Sequence, residues 1–313
     1  MAVPVYIFTG FIESGKTTLI DETLHDEAFN TGERTLLLVL EQGIEEFDEK
    51  KAEELNTHIE YIDDFENGMS LKHLNELNAK YKPERVMIEY NGTWKVEDFL
   101  NSKIPAGWEI AQIVATADAS TFENYVNNMK SFMYEQLRFA DPVIFNRCSP
   151  KVKKSFLRSN VRAYNRSAQL IYENTEGEIE NMDEDDLPFD LSKDSIEISP
   201  DDYGIWYMDA LDHPQKYRGK TLSFTGMAYP TTQWDKPIVA IGRFALVCCA
   251  QDKQFIGVGI VDQDGKGLRP ASWMKVKGKV RIDYDPESQS DYISLTQSTL
   301  KPAKPLEHPD VVF

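Results

Sequence analysis

The feature that most limits the fold of this chain is an alternation of apolar runs and helix-like stretches over its first 172 residues. The apolar runs are, in order, PVYIFTG, RTLLLVL, THIEYID, RVMIEYNG, IAQIVATAD, DPVIFNR and AQLIYE. Parallel strands need crossover connections, so the alternation predicts an α/β domain with a mostly parallel sheet and helices on both faces. Ligands of such sheets bind beyond the carboxyl ends of the strands.

The second half of the chain has a different pattern. After DALDHPQKYRG, helical periodicity nearly disappears, and short strand-like runs separated by turns replace it. This pattern predicts a small all-β domain, for which an OB-like barrel is the expected form. The predicted organisation is therefore an α/β domain over residues 1–172, a linker over 173–202 and a β-rich domain over 203–313.

The predicted linker is strongly acidic. It contains 13 Asp and Glu residues against one basic residue, Lys193, which gives −12 of the chain's net charge of −18. It has too few large apolar residues to offset the entropy lost on ordering, which is typical of a linker or a loosely held loop. An acidic tract that captures cations is the alternative interpretation.

Composition argues against several classes of function. The net charge of −18 repels nucleic-acid phosphates, and no basic stripe interleaved with aromatic residues offsets it, so no nucleic-acid partner is expected. No run approaches the roughly 18 apolar residues of a membrane helix, so no membrane insertion is expected. The three cysteines, Cys148, Cys248 and Cys249, cannot form a disulfide framework, which favours a reducing cytoplasm.

The stretch GFIESGKT, from Gly10 to Thr17, fits the pattern G-x-x-x-x-G-K-[ST] and lies between the first apolar run and the first helix-like stretch. Its amides can converge on a phosphate at a helix N-terminus, where the helix dipole favours an anion. Lys16 adds a positive charge, and the Thr17 hydroxyl can hold Mg²⁺. The sequence therefore predicts a site for Mg²⁺ with GTP or ATP. The residues assigned to this loop are Gly10, Glu13, Ser14, Gly15, Lys16, Thr17 and Thr18.

Two acidic residues end other apolar runs, on the same side of the predicted sheet. Glu89 ends RVMIE, where its carboxylate can hold Mg²⁺ directly or through water, or orient an attacking water. The alternative is an acid exposed to solvent at a strand end. Glu41 ends the second run, and the loop that follows it is a candidate switch. Lys16, Glu41 and Glu89 are the expected catalytic residues.

Four stretches together, GFIESGKTTLI, LEQGIEEFD, VMIEYNG and EQLRFADPVIFNRCSP, resemble the CobW/HypB/UreG-type metallochaperone GTPases, and the CobW branch most of all. The resemblance covers roughly the first 170 residues. It implies a GTP-hydrolysing fold, nucleotide-driven dimerisation and switch loops that control transfer of a metal ion to a client. Glu41 matches the switch-loop acid, and Glu89 matches the acid that follows the fourth strand.

The chain departs from the CobW pattern at the metal motif. The family has Cys-x-Cys-Cys between the third strand and the next helix, whereas this chain has Met69, Ser70 and Leu71. Soft sulfur ligation is therefore absent, and the identity of any transition metal stays open. His73 is a single replacement ligand, and a lone histidine on a helix is more often a packing or surface residue.

A second departure lies in the base-recognition motif. Asn-Lys-x-Asp of the family becomes NRCS, with Asn146, Arg147 and Ser149 as the expected base-side residues. A serine hydroxyl cannot accept two hydrogen bonds from guanine as an aspartate does. The motif therefore predicts that GTP is preferred over ATP by roughly tenfold or less.

In the second half, YRGKTLSFTGMAY, RFALVCCAQD and WMKVKGKV resemble the C-terminal domain of the YcgQ type, a permease-associated family. The resemblance implies a permease or metal-handling protein as partner. Cys248 and Cys249 have two interpretations: both pack as small apolar residues, or one or both meet a soft metal or a partner thiol.

These observations predict a Mg²⁺-dependent nucleotide-binding protein that hydrolyses GTP slowly, as a nucleotide-controlled metallochaperone-like or permease-associated accessory protein. The alternative is a scaffold that senses nucleotide without hydrolysing it and whose β-domain binds a protein partner. The altered base motif and the missing thiolates favour the alternative somewhat.

Overall fold

The structure, a computed structural model, describes residues 2–180, 187–233, 236–246, 253–286 and 288–312. The chain divides into two compact units. The first comprises residues 1–153 and 164–182, and the second comprises residues 154–163 and 183–313.

The first unit is built on one eight-stranded sheet. Its strands are β1 (Val3–Thr9), β2 (Thr35–Val39), β3 (Thr57–Tyr61), β4 (Arg85–Glu89), β5 (Trp108–Asp118), β6 (Val143–Cys148), β7 (Leu170–Asn174) and β8 (Ile179–Glu180). They lie in the order β3-β2-β4-β1-β5-β6-β7-β8. The first seven are parallel, and β8 runs antiparallel to β7.

Helices cover both faces of this sheet. They are α1 (Lys16–His25), α2 (Glu49–Glu54), α3 (Phe65–Gly68), α4 (Leu71–Tyr81), α5 (Val96–Leu100) and α6 (Phe122–Leu137). Leu74 of α4 and Phe99 of α5 pack on one face, while Ile20 of α1 packs on the other. The predicted α/β architecture is thereby confirmed.

The apolar runs of the sequence form the strands because both sides of the central strands are buried. In β2, Leu36 and Leu38 join the core on one face, while Leu37 and Val39 join the core on the other. Central strands of parallel sheets are typically such continuous apolar runs. β1 lies between β4 and β5, so the loop after β1 emerges beside the ends of both neighbours.

The second unit contains a small closed barrel, as the sequence predicted. Its strands are β10 (Thr221–Gln233), β11 (Lys236–Leu246), β12 (Lys253–Ile260), β13 (Ser272–Asp285) and β14 (Ser290–Pro302). They close in the order β10-β11-β12-β14-β13 and back to β10. The β12–β14 pair is parallel, and the other four pairs are antiparallel.

Strand β13 shows how the sequence specifies the barrel. In MKVKGKV, Met274, Val276 and Val280 are buried in the barrel core, while the lysines between them are exposed. Period-two alternation of this kind is expected for a strand with one buried face. The unit also contains β9 (Ser195–Glu197), α8 (Tyr203–Asp212) and β15 (Val311–Val312). Helix α7 (Lys154–Tyr164) belongs to this unit up to residue 163.

The division differs from the sequence prediction in two places. Part of the predicted linker is a strand: β9 pairs with β10, and Ile196 and Ile198 are buried in the barrel core. The net charge of this segment favours a linker, whereas the alternation of Ile196 and Ile198 is typical of a strand with one buried face. Residues 154–163 of α7 also belong to the second unit, although they precede the predicted linker.

A buried ion-pair network attaches α7 to α8. Arg158 is buried and donates from Nη1 to Asp209 Oδ1 at 2.9 Å and from Nη2 to Asp212 Oδ2 at 2.9 Å. The Tyr217 hydroxyl donates to Asp209 Oδ2 at 2.7 Å. A buried carboxylate is tolerated when its oxygens are satisfied in this way.

None of the helices in the described part of the chain combines the length and apolar character needed to cross a membrane.

The buried ion-pair network of Arg158 predicts that its loss destabilises the second unit. Arg158→Ala leaves the Asp209 carboxylate, which is only 2% exposed, without its nearest cation and with only Lys216 Nζ, 3.9 Å from Oδ1, in range. We expect the free energy of unfolding to fall by about 3–5 kcal/mol, measured by urea denaturation of the full chain. The control is Arg162→Ala, which removes a pair to the more exposed Asp212 and should cost about 0–1 kcal/mol. Equal losses in the two variants would contradict the assignment.

Candidate functional site

The loop after β1 has a backbone that depends on glycine. Gly10 has φ +132°, and a Cβ at this position would lie 2.3 Å from the Thr116 carbonyl oxygen of β5. Gly15 has φ +97° and is the N-cap residue of α1. Only glycine tolerates both the positive φ and the close approach at residue 10. The two glycines of the sequence pattern therefore fix the entry and the exit of the loop.

The N-terminus of α1 faces a cavity of about 170 Å³. Gly15 supplies no side-chain cap, so the first amides of α1 lack the partner that a serine or aspartate would give. Lys16, Thr17 and Glu89 line this cavity, together with Glu41. Unpaired amides and a lysine at a helix N-terminus form an anion-binding arrangement.

Lys16 folds back over its own loop. Its side chain is 3% exposed, and Nζ donates to the carbonyl oxygens of Gly10 and Phe11, each at 2.8 Å. The third partner of Nζ is Glu41 Oε2, at 2.7 Å. Three acceptors satisfy the three protons of the ammonium, which offsets its desolvation.

Glu41 joins three segments of the site. It follows the end of β2, pairs with Lys16 through Oε2, and accepts the amide of Gly92 through Oε1 at 3.2 Å. Gly92 lies in the turn after β4. One carboxylate therefore bridges the ammonium of the loop and an amide of the neighbouring turn.

Glu89 lies at the end of β4, beside the loop. It is 4% exposed, and Oε1 accepts a hydrogen bond from Thr17 Oγ1 at 2.7 Å. Burial raises the pKa of Glu89, while the Thr17 hydroxyl and the nearby Lys16 ammonium partly oppose this shift. The alternative interpretation of Glu89, an acid exposed to solvent at a strand end, does not apply here, because the carboxylate is buried against the Thr17 hydroxyl.

Asn146 and Arg147, at the end of β6, hold the loop from the other side. Asn146 Nδ2 donates to the Ser14 carbonyl oxygen at 2.7 Å, and Arg147 Nη1 donates to the Glu13 carbonyl oxygen at 3.1 Å. Arg147 also pairs with Asp118 at 2.6 Å. Ser14 itself hydrogen-bonds through its hydroxyl to Thr116. These contacts fix the loop without using its amides.

The loop continues into a second cavity of about 230 Å³, between α1 and the ends of β6 and β7. Gly15, Thr18 and Arg147 line both cavities, so the two are contiguous. Asn146 lines the second cavity, whereas Ser149 does not belong to its wall. Ser149 begins the turn after β6, where its carbonyl oxygen accepts the Val152 amide.

Two residues of the site escaped the sequence analysis. Gln136 of α6 is 1% exposed, and its Oε1 accepts the Gly10 amide at 3.2 Å. A single polar residue on a helix carries no sequence signal. Asp118 ends β5 as Glu89 ends β4, so the same strand-end signal could have identified it. Although burial opposes ionisation, hydrogen bonds from Ser120 and Arg147 hold the pKa of Asp118 below its ordinary value.

Sequence comparison assigns both halves of the chain. Residues 4–171 match the CobW/HypB/UreG nucleotide-binding domain, which is more than half of the 313 residues. The chain belongs to the CobW/HypB/UreG family. Residues 173–311 match the DUF1980 C-terminal domain. The resemblance inferred from the motifs is thereby confirmed, and so is a nucleotide-binding domain at the N-terminus.

Individual proteins match more weakly. UPF0703 protein YcgQ of Bacillus subtilis strain 168 is 24% identical over 93 residues, which are 30% of this chain and 33% of that protein. The chain thus matches only 33% of the length of that relative. Zn(II)-bound YjiA GTPase from E. coli has a TM-score of 0.44 at 16% identity, covering 94% of this chain and 95% of that one. Hydrogenase maturation factor HypB from Archaeoglobus fulgidus has a TM-score of 0.39 at 18% identity, and the match covers 56% of this chain and 82% of HypB.

In this CobW/HypB/UreG member, the region of the missing Cys-x-Cys-Cys motif has a structural role. Met69 is buried in the core, and Ser70 is the N-cap residue of α4. His73 is 40% exposed and lies 3.8 Å from Glu76 on the same helix. Among the described residues, no group of three or more His, Cys, Asp or Glu side chains could hold a metal ion. Cys248 and Cys249 lie outside the described residues.

Burial of Glu89 predicts a gain in stability when its charge is removed. A raised pKa means that the folded state disfavours the ionised form, so Glu89→Gln should stabilise the ligand-free protein by about 0.5–2 kcal/mol near pH 8. The advantage should shrink as the pH falls through the raised pKa, because wild-type Glu89 then becomes neutral too. Denaturant unfolding at several pH values measures both effects.

The matched control for this variant is Glu109→Gln, since Glu109 is an exposed residue of β5. It removes the same charge and should change stability little at any pH. A destabilised Glu89→Gln near pH 8 would contradict the assignment of a burial-dominated pKa.

Proposed function

We propose that this chain binds a nucleoside triphosphate with Mg²⁺, with GTP as the expected nucleotide, and hydrolyses it slowly. The observation that carries the proposal is the uncapped N-terminus of α1, which faces a cavity together with the buried Lys16 ammonium. A nucleotide-binding domain of this family supports the same function.

The loop is built to receive phosphate oxygens. Its amides and the positive end of the α1 dipole provide donors, and Lys16 provides a full charge. The carbonyl bonds to Gly10 and Phe11 and the bonds from Asn146 and Arg147 hold the loop in place before any ligand binds. The loop itself therefore needs no reorganisation when the phosphate enters, although Lys16 must exchange Glu41 for the phosphate.

Thr17 and Glu89 fit a magnesium ion. Their oxygens lie 2.7 Å apart at the carboxyl edge of the sheet, and hydroxyl and carboxylate oxygens are the ligands that Mg²⁺ prefers. When bound with nucleotide, Mg²⁺ neutralises charge on the phosphate oxygens. Glu89 would hold the ion directly or through water, which also explains a costly buried carboxylate at this position.

Glu41 accepts hydrogen bonds from two groups, Lys16 Nζ and the Gly92 amide, that a terminal phosphate would use as donors. Its two oxygens accept from Lys16 Nζ and from the Gly92 amide, as two oxygens of one phosphate would. A triphosphate that takes these donors displaces Glu41, and residues 42–48 follow it. We infer that this exchange is the nucleotide switch, and that displaced Glu41 is then free to orient water for hydrolysis.

The biological role proposed here is that of a nucleotide-controlled metallochaperone-like or permease-associated accessory protein in the cytoplasm, acting as a homodimer. The match of residues 173–311 to the DUF1980 C-terminal domain and the YcgQ relative support a permease or metal-handling partner. We infer that the barrel is OB-like, because five strands close with the third and fifth parallel, and that it binds this partner.

The proposal predicts the effect of Lys16→Ala. The variant should fold, but its affinity for Mg²⁺–GTP should fall by at least about 100-fold, because the charged donor to the phosphates is lost. Calorimetry measures the affinity, and phosphate release measures turnover. Lys103→Ala, at an exposed lysine, is the control and should bind as wild type. Unchanged affinity in Lys16→Ala would remove the proposal, and tight binding without turnover in wild type would favour the sensing scaffold.

The switch predicts a different effect for Glu41→Gln. The neutral side chain competes less well for Lys16, so affinity for a non-hydrolysable GTP analogue should rise by about 3–10-fold, while hydrolysis should fall. Affinity for GDP should rise less, since GDP lacks the terminal phosphate and competes with Glu41 only through its β-phosphate at Lys16. Equal changes for GDP and the analogue would show that Glu41 does not occupy the terminal-phosphate position.

A further inference from the structure

The second cavity contains a carboxylate that no part of the site described above uses. Glu173, on β7, lines this cavity of about 230 Å³ together with Asn146 and Arg147. The side chain is half-buried, and among the described residues no hydrogen bond or ion pair satisfies its carboxyl group. Burial raises the pKa of Glu173, and the neighbouring Glu22 of α1 adds to this shift.

The sheet register brings Glu173 to this position. Phe145 pairs with Tyr172, but the next pair is Cys148 with Asn174, so β6 contains one extra residue beside Glu173. This bulge coincides with the positive φ of Arg147, +54°. It turns Asn146 and Arg147 toward the loop after β1, and Glu173 remains beside the cavity that they line.

The charged and amide donors of this cavity are already engaged, whereas Asn146 Oδ1 is buried without a hydrogen-bond partner among the described residues. Asn146 Nδ2 donates to Ser14, and Arg147 bonds Glu13 and Asp118. Asn174 Oδ1 accepts the amides of the turn that leads into β8, and its Nδ2 donates to a carboxylate of the same turn. Glu173 and the exposed Glu22 are the acidic groups of the wall whose acceptor oxygens remain available.

The contiguity of the two cavities gives Glu173 a ligand. A nucleotide whose phosphates bind at Lys16 would extend past Gly15 and Thr18, which line both cavities, and its base would enter the second one. We propose that Glu173 reads this base, and that its two oxygens accept the N1–H and the 2-amino group of guanine. The inference rests on the proposed nucleotide binding and supplies the carboxylate that the sequence lacks at Ser149.

The chemistry of the two purines makes Glu173 selective. Guanine presents two parallel donors, which match the two oxygens of a carboxylate. Adenine presents an unprotonated ring nitrogen on the same edge, so its lone pair would face a carboxylate oxygen. Sites built around a hydrogen-bonding group reject ligands that leave that group unpaired. GTP should therefore bind at least about 100-fold more tightly than ATP, in contrast to the tenfold or less expected from Ser149.

The test is competition binding of GTP, ATP and xanthosine triphosphate, each with Mg²⁺, to the full chain. Xanthine carries an oxygen in place of the 2-amino group. In Glu173→Gln, the amide accepts N1–H and donates to this oxygen, so affinity for xanthosine triphosphate should rise at least about tenfold while GTP affinity falls by a similar factor. A gain of binding cannot result from misfolding.

Two control variants locate the effect. Glu22→Gln removes the other carboxylate of the same wall, and Ser149→Ala alters the motif position; both should keep the wild-type order of affinities. If Glu173→Gln leaves all three affinities in their wild-type ratio, or if Glu22→Gln produces the switch instead, Glu173 is not the base-reading residue, although nucleotide binding stands. If wild type binds none of the three nucleotides, the proposed function fails and this inference fails with it.

Discussion

The site depends on one buried ammonium. Lys16 is almost fully withdrawn from water, and such a charge is tolerated only when its protons are satisfied. Two carbonyl oxygens of its own loop and the carboxylate of Glu41 meet this requirement. The same three bonds shape the loop after β1, retain the segment after β2 and, through Gly92, engage the turn after β4. A ligand that replaces one of these acceptors therefore acts on three segments at once.

The opposite wall of the loop has a complementary role. Asn146 and Arg147 bond carbonyl oxygens of the loop, and the bulge in β6 that directs them there also places Glu173 beside the second cavity. If the chain binds nucleotide as proposed, the extra residue in β6 links phosphate binding to base reading. A change in the bulge would then be expected to alter both.

Much of the first unit could be predicted from local pattern, because apolar runs that are buried on both faces become central parallel strands and their carboxyl ends meet at one edge. The strand ends predicted Glu41 and Glu89, and the glycine-lysine pattern after the first strand predicted Gly10 and Lys16. Gln136 and Glu173 were not predicted, because their positions depend on helix packing and on an irregular register, which no spacing records. β9 was missed because the charge of the segment obscured two alternating isoleucines.

The charge around the cavity at the N-terminus of α1 supports the proposed binding of a divalent cation. Its walls contain two cations, Lys16 and Arg147, and four carboxylates, those of Glu13, Glu41, Glu45 and Glu89. A bare triphosphate would enter against this excess of negative charge, in a chain whose net charge is already −18. A divalent cation held by Thr17 and Glu89 would offset this excess of negative charge beside the most buried carboxylate. On the proposed function, the acidic wall would favour the magnesium complex over the free nucleotide, and binding of both ligands would offset the cost of burying Glu89.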